Sequence, residues 1–268
     1  MFDENHSEFR VASRETIVLR ELINCSLDDQ LLVREIRNQK SVRSSMYTDH
    51  EIGLNEHLNW ISRLKTDNRQ IVFVVFSSNE KPIGVISVNA IDKLHKKADW
   101  AYYLDENERG GLGAVLEYNF LNFLFKELEL DKLNCEVIET NPAVVKLHKK
   151  FLFQEEGFRR SNIIKNDARI GVHFLGITKD QWLKGCSSVY EKYSSVFEKY
   201  DVTIETKKYI ADDTLSLIEQ TRSKNNVNWM ALLRICVEKD PDVSKPIIQE
   251  ILRLDREISD LTAKLVTE

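Results

Sequence analysis

Apolar positions along the chain follow two rhythms, and their alternation predicts the fold. Short apolar runs rich in β-branched and aromatic residues read as strands: TIVLREL (Thr16 to Leu22), QIVFVVFS (Gln70 to Ser77), IGVISVNAI, and HKKADWAYYL, which ends near Leu104. The segment SSNEKPIG between the second and third is a hairpin turn. Helical spacing governs LDDQLLVREIRN (Leu27 to Asn38), which starts behind Ser26 or Asp28 as cap. It also governs GLNEHLNWISRLK, where Leu54, Leu58, Ile61 and Lys65 share a face. A loop leads into a further helix ending near Phe125, followed by a strand, KLNCEVIE (Lys132 to Glu139), and a helix, NPAVVKLHKKF (Asn141 to Phe151). Asn141 suits the N-cap, and Pro142 suits the first helical position, where its missing N–H costs nothing. RIGVHFLGI (Arg169 to Ile177) is a last strand, and Trp182 closes the block. This order implies an α/β arrangement with an antiparallel hairpin half. Ligand binding is expected where strand, Gly-rich turn, helix and strand follow one another.

Residues 1–14 read as a loose tail, 15–185 as one α/β domain and 186–268 as a helical region. Glycine disappears after Gly185. Helical patterns take over in DDTLSLIEQTRS and in NVNWMALLRICVEK, where Trp229, Leu232, Leu233, Cys236 and Val237 lie on one face. After a break at Pro241, the positions Ile247, Ile251, Leu254, Ile258, Leu261 and Leu265 form a heptad seam. Such a seam needs a partner, either a neighbouring helix or another subunit.

Composition narrows the function classes. The chain has 268 residues, 42% hydrophobic and 30% charged, enough for a packed core in one or two domains. A net charge of -5 gives no electrostatic support to nucleic-acid binding. Cys25, Cys135, Cys186 and Cys236 stand far apart with no metal-type spacing, so no metal site is expected, and Cys135 reads as a small core residue. The start, MFDENHSEFRVASRE, is polar and acidic and is no signal peptide. No run approaches the roughly 18 apolar residues of a membrane span. A reduced, cytoplasmic protein is the expectation.

The chemistry begins at RGGLGAVLEYNFLNFLF (Arg109 to Phe125), a helix that starts on glycines. No GK[ST] follows and GxGxxG is absent, so neither a Walker loop nor a dinucleotide fingerprint is present. What remains is a strand, an N–H-rich loop and a helix N-terminus, an arrangement that suits a pyrophosphate. ERGGLGAVL after WAYYL, followed by NPAVVKLHKKFLFQEEGFRR, resembles the GNAT N-acetyltransferase superfamily. The resemblance implies the GNAT fold, with a mixed, mostly antiparallel sheet flanked by helices, and acetyl-CoA as the coenzyme. Its pyrophosphate would lie on the loop of Gly111, Leu112, Gly113 and Ala114, and its pantetheine along Trp100, Ala101, Tyr102 and Tyr103. Gly111 and Gly113 fill the glycine slots of the signature Gln/Arg-x-x-Gly-x-Gly/Ala, but Glu108 stands in the Gln/Arg slot and Arg109 is one residue out of place. Asn141 would also bond the pantetheine. Lys150 is either a solvated charge or a phosphate contact.

Within the superfamily, Arg-Asn, Met-Tyr and His-x-x-Trp in REIRNQKSVRSSMYTDHEIGLNEHLNWI, with PIGVISVNAID and LHKKFLFQEEG, are similar to the PseH-type transferases. These acetylate the 4-amino group of a UDP-linked 4-amino sugar on the route to pseudaminic acid, which decorates flagellin. Arg37, Met46, Tyr47, His57 and Trp60 would then line the sugar-nucleotide pocket. Read alone, Met46 and Trp60 suit a core, and Arg37 and His57 a solvated helix face. Attack of a neutral amine on a thioester needs a proton acceptor, an oxyanion donor and a proton for the thiolate. Glu136, inside an apolar strand, is either a structural carboxylate or, as the resemblance implies, the acceptor, with Ser87 in its hydrogen-bond network. His148 stands where the superfamily usually has Tyr, and is either structural or the acid. A GNAT acting on a protein or peptide amine, and a non-catalytic module that holds coenzyme A, are the alternative functions.

Overall fold

The computed structural model describes residues 14–108, 111–205, 235, 238–239, 242, 244–251 and 253–254. Strand β1 (Glu15–Glu21) leads to helix α1 (Leu27–Asn38), which Ser26 caps by accepting the Asp29 N–H at 3.2 Å. A short helix, α2 (Lys40–Ser44), and α3 (Leu54–Leu64) follow. Then come β2 (Ile71–Phe76), β3 (Pro82–Asp92), β4 (Lys97–Leu104), α4 (Leu112–Lys126), β5 (Lys132–Ile138) and α5 (Pro142–Lys150). The hairpin β6 (Gln154–Lys165) and β7 (Ala168–Thr178), helix α6 (Lys179–Phe197) and β8 (Tyr200–Glu205) complete the order.

One sheet runs β6-β7-β5-β4-β3-β2-β1-β8. Its pairs are antiparallel except β4 with β5 and β1 with β8. On one face, Val33 of α1 and Ile61 and Leu64 of α3 pack on Val72, Val74 and Val85. On the other, Leu116, Phe120 and Leu124 of α4, Val145 of α5 and Trp182, Val189 and Phe197 of α6 pack on Phe73, Ile86 and Leu133. Burial of one such side chain stabilises by roughly 1.5–3 kcal/mol.

The expected boundary at 185 is corrected by this packing. Helix α6 runs on through Gly185, placing Val189 and Phe197 in the core, and β8 pairs with β1 from Glu15↔Tyr200 to Arg20↔Glu205. The chain divides into Met1–Thr206 and Lys207–Glu268. Three elements went unpredicted. The sequence of β6 is polar and nearly every residue is exposed, so its strand form comes from the β7 ladder rather than from any apolar rhythm. Helix α2 spans 5 residues, too short for a period to declare itself, and β8, whose six residues alternate in burial, stands as a strand paired with β1 where the helical region was expected to have begun. In the second unit, residues 244–251 and 253–254 are helical, with Ile247 and Leu254 exposed and Ser244 buried. The helix expected over 212–223 and the seam positions Ile258, Leu261 and Leu265 lie outside the described residues, and of the helix expected over 226–239 only 235 and 238–239 are described, as helical.

Candidate active site

The parallel ladder between β4 and β5 is short. It pairs Lys97, Ala98 and Asp99 with Lys132, Leu133 and Asn134 and goes no further. Beyond that point the strands part, and a cavity of about 360 Å³ opens between them. Trp100 to Leu104 line one side and Cys135 to Val137 the other, with Gly113 of α4 and Asn141, Val144 and His148 of α5 around the rest. A gap in a sheet exposes backbone N–H and C=O groups that need partners. An extended, amide-bearing molecule would supply them, in the manner of an added strand.

The glycines at the start of α4 answer to two different constraints. Gly111 is the N-cap residue with φ +92°, in the left-handed region, and a Cβ there would meet Val196 Cγ1 of α6 at 2.7 Å. A Cβ on Gly113 would stand 3.2 Å from the Tyr102 hydroxyl, on the cavity side of the helix. The Leu112 side chain is in the core and Ala114 packs against it, which leaves their backbone as the part available to a ligand. Arg109 and Gly110 lie outside the described residues. Asn141 occupies the N-cap of α5 but its side chain makes no capping hydrogen bond, so the expected cap is absent and the amide is left beside the cavity. Lys150 is exposed in the last turn of α5 and is not part of the cavity wall. Trp100 is 3% exposed, and its indole N–H has no hydrogen-bond partner among the described residues. Gly113 and Asn141, together with the parted strands, fit an amide-bearing thioester with an anionic tail.

Two predicted groups meet here across the sheet. The Tyr47 hydroxyl, on the loop between α2 and α3, donates a hydrogen bond to the Glu136 carboxylate, and Met46 lines the same cavity. Burial and Glu136 raise the Tyr47 pKa, so the phenol stays a donor. Sequence reasoning missed what holds this loop. Asn38 pins it from one side, donating to the Ile52 carbonyl at 3.0 Å and accepting its N–H at 2.8 Å. Lys165 pins it from the other, its buried ammonium donating to the carbonyls of Arg43, Ser44 and Met46 at 2.7, 2.8 and 2.6 Å. Asn38 stood in the Arg-Asn pair of the family resemblance without a role, and Lys165 had no sequence signal beyond being polar.

His148 also lines the cavity and is 4% exposed. Its Nδ1 lies 2.8 Å from Oε1 of Glu117, a fully buried carboxylate on α4. Burial alone would lower the His148 pKa, but the Glu117 charge and hydrogen bonds to Cys135 and Glu117 outweigh it and push it up to about 10. Burial likewise raises the Glu117 pKa, against the pull of His148.

The remaining predicted residues sit around a second cavity of about 290 Å³, lined by Arg37, Glu56, His57, Trp60, Arg63, Ser87 and Tyr103 among others. Tyr103 borders both cavities. Arg37 donates to the Thr48 hydroxyl at 3.3 Å, while its second terminal nitrogen is buried without a hydrogen-bond partner among the described residues, and burial lowers its pKa. His57 is 2% exposed with Nε2 2.7 Å from the Gln30 carbonyl, and burial lowers its pKa. Trp60 packs partly on the core and partly against the cavity. The expected Ser87–Glu136 network is not formed. Ser87 donates to the Ala101 carbonyl at 3.3 Å, accepts from Asn89 at 3.0 Å and faces the second cavity. Being one strand further from β5, it is served by its own neighbours.

Residues 17–154 match the family model described as Acetyltransferase (GNAT) domain. The chain is 27% identical over 119 residues to Acetyltransferase PseH of Campylobacter jejuni, covering 44% of this chain and 73% of that protein. It is 24% identical over 130 residues to a spermidine N(1)-acetyltransferase of Vibrio cholerae, covering 48% of this chain and 75% of that protein. Among solved structures, the spermidine N-acetyltransferase of Vibrio cholerae in complex with CoA and spermine superimposes with a TM-score of 0.58 at 22% identity. That match covers 62% of this chain and 98% of the other.

Proposed function

The chain belongs to the GNAT family of acetyltransferases, which use acetyl-CoA, and we propose that it acetylates the 4-amino group of a UDP-linked 4-amino sugar. The observation that carries this reading is the second cavity. It joins two guanidinium groups, Arg37 and Arg63, with the rings of Trp60 and Tyr103, and it adjoins the first cavity through Tyr103. A nucleoside diphosphate needs cations for its phosphates and a flat apolar face for its base.

Acetyl-CoA supplies the acetyl group as a thioester. Trp100, Ala101, Tyr102 and Tyr103 on β4, Gly113 on α4 and Asn141 on α5 are the residues that would hold it. The α4 N-terminus gives its diphosphate backbone N–H groups and the positive end of a helix dipole. Glu136 takes the amine proton, and Tyr47 keeps its carboxylate oriented toward the cavity. His148 gives a proton to the departing sulfur. Ser87 is set aside from this chemistry and borders the sugar-nucleotide side.

One observation favours a second reading, a polyamine substrate. Asp105, Glu106 and Glu108 line the first cavity with Glu136, and clustered carboxylates suit a polycation. The two readings part in a turnover assay with acetyl-CoA against UDP-4-amino-4,6-dideoxy sugars, spermidine and amine-bearing peptides. A preference in kcat/KM of about 10²-fold or more for a UDP-sugar over spermidine is expected, the scale set by ionic groups left unpaired with the wrong substrate. A preference for spermidine or a peptide overturns the sugar reading.

A further inference from the structure

Helix α4, LGAVLEYNFLNFLFK, carries one charged residue before Lys126, and it is a carboxylate. That carboxylate, Glu117, is 0% exposed, and its Oε2 has no hydrogen-bond partner among the described residues. A lone carboxylate in such a place is costly, and an apolar residue of similar size would pack there as well or better. Its one hydrogen-bonded partner among the described residues is His148, whose ring borders the cavity between β4 and β5.

The chain contains its own control. His57 is equally buried, but it bonds a backbone carbonyl, that of Gln30, and burial lowers its pKa. A carbonyl suffices to hold a buried histidine that moves no proton in the proposed reaction. His148 is given a carboxylate instead, and its affinity for a proton moves the opposite way.

We infer that Glu117 is a positioning residue for the acetyl transfer: it holds the His148 ring by Nδ1, so that Nε2 carries the proton delivered to the leaving sulfur. The inference rests on the reading of His148 as the acid. With Nδ1 committed to Glu117, the ring's second nitrogen is left to the Cys135 thiol, which lines the same cavity, and to proton exchange with a bound sulfur, and the carboxylate stabilises the charged ring before transfer. The balance closes: the C–S bond breaks and the amide C–N bond forms, one amine proton goes to Glu136, and the sulfur takes its proton from His148 Nε2. His148 is recharged from solvent through the cavity, while Nδ1–H stays on Glu117.

Two measurements on the full chain test this. First, Glu117→Gln keeps the size and a hydrogen bond but removes the charge. It should lower kcat with a UDP-4-amino sugar by about 10–10²-fold, a part of the 10²–10⁴ ascribed to general acid–base help, with KM for acetyl-CoA little changed. The alkaline limb of its kcat–pH profile should move to lower pH. His148→Gln should lose as much or more. Full turnover in His148→Gln overturns the reading of His148 as the acid. A crippled His148→Gln beside a Glu117→Gln enzyme with normal kcat and an unmoved alkaline limb overturns only the role of Glu117. Second, imidazole ¹⁵N NMR of the unmodified protein is independent of whether the variants fold or which amine is accepted. His148 should stay charged above pH 8, with Nδ1 protonated. A ring neutral at pH 7, or protonated on Nε2 alone when neutral, refutes the inference.

Discussion

Replacing Gly113 separates the fold from the coenzyme, because the two respond with opposite sign. Gly113 is the second residue of α4, where alanine is worth about 1 kcal/mol over glycine in helix propensity. The added Cβ would lie 3.2 Å from the Tyr102 hydroxyl oxygen, 3.7 Å from Tyr102 Cε2 and 3.8 Å from Leu147 Cδ2. Only the first contact is tight, and a shift of Tyr102 by a few tenths of an ångström relieves it. Gly113→Ala should therefore leave Tm unchanged or slightly raised. The relieved ring moves within a wall of the cavity, and the new methyl stands where an anion approaches the helix terminus. Loss of one charge-assisted N–H···O bond to the diphosphate costs about 1.5–3 kcal/mol, roughly 10–150-fold in Kd. Gly113→Val adds two methyl groups at the same place and should abolish binding. Titration calorimetry with acetyl-CoA, paired with thermal melts, reads both quantities. Acetylpantetheine, which lacks the nucleotide, should bind the native and alanine chains alike. If Gly113→Val melts normally and binds acetyl-CoA with native Kd, the diphosphate does not lie at this terminus.

Further tests follow from other side chains. Glu136→Gln should reduce kcat at neutral pH by about 10²–10⁴-fold, the loss shrinking at high pH where the amine is already neutral; a flat profile at full activity makes the carboxylate structural. Glu108→Gln should tighten acetyl-CoA binding by up to about fivefold at low salt, since it removes a carboxylate from the cavity wall, and calorimetry at two ionic strengths checks it. His148 and Glu117 both hold protons more tightly in the folded chain, so their contribution to stability is greatest at low pH. For His148 it is fully present below 6.5 and lost as pH rises toward about 10, which denaturant titrations of native and Glu117→Gln chains across that window should show as a converging difference. A chain ending at residue 206 should unfold cooperatively and bind acetyl-CoA, whereas one ending at 185 should not fold, because it lacks the buried Val189 and Phe197 and the β8 strand; circular dichroism decides between them.

The central strands were legible because their burial leaves an unbroken apolar run, as in β2, and α1 matched to the residue because Ser26 and the helix period agree. The cavity's β4 side, Gly113 and His148 were reached through the family resemblance, since the parting of β4 from β5 is a pairing property and leaves no mark in either strand alone. Tyr47 and Glu136 were both singled out, yet their contact joins residues 89 apart and needed the fold. Glu117 could have been found. A single carboxylate in a mostly apolar helix poses the same question that drew notice to Glu136. Lys165 could not, because three carbonyls that depend on the α2 turn define its role. Edge strands escaped for the opposite reason from core ones: β6 draws its order from its neighbour and shows no periodicity of its own.

The pairing of β1 with β8 also sets an order of events during synthesis. Arg20 and Glu205, ion-paired at the end of that ladder, are 185 residues apart. At 5–20 residues per second, β1 leaves the ribosome about 10–40 s before β8 exists. Through that interval β2 can satisfy one side of β1, but the other side presents unpaired backbone groups to any extended segment nearby. The contact order of this final closure is high, so it should be the slow phase of refolding. The unpaired side of β1 is exposed to aggregation until β8 docks.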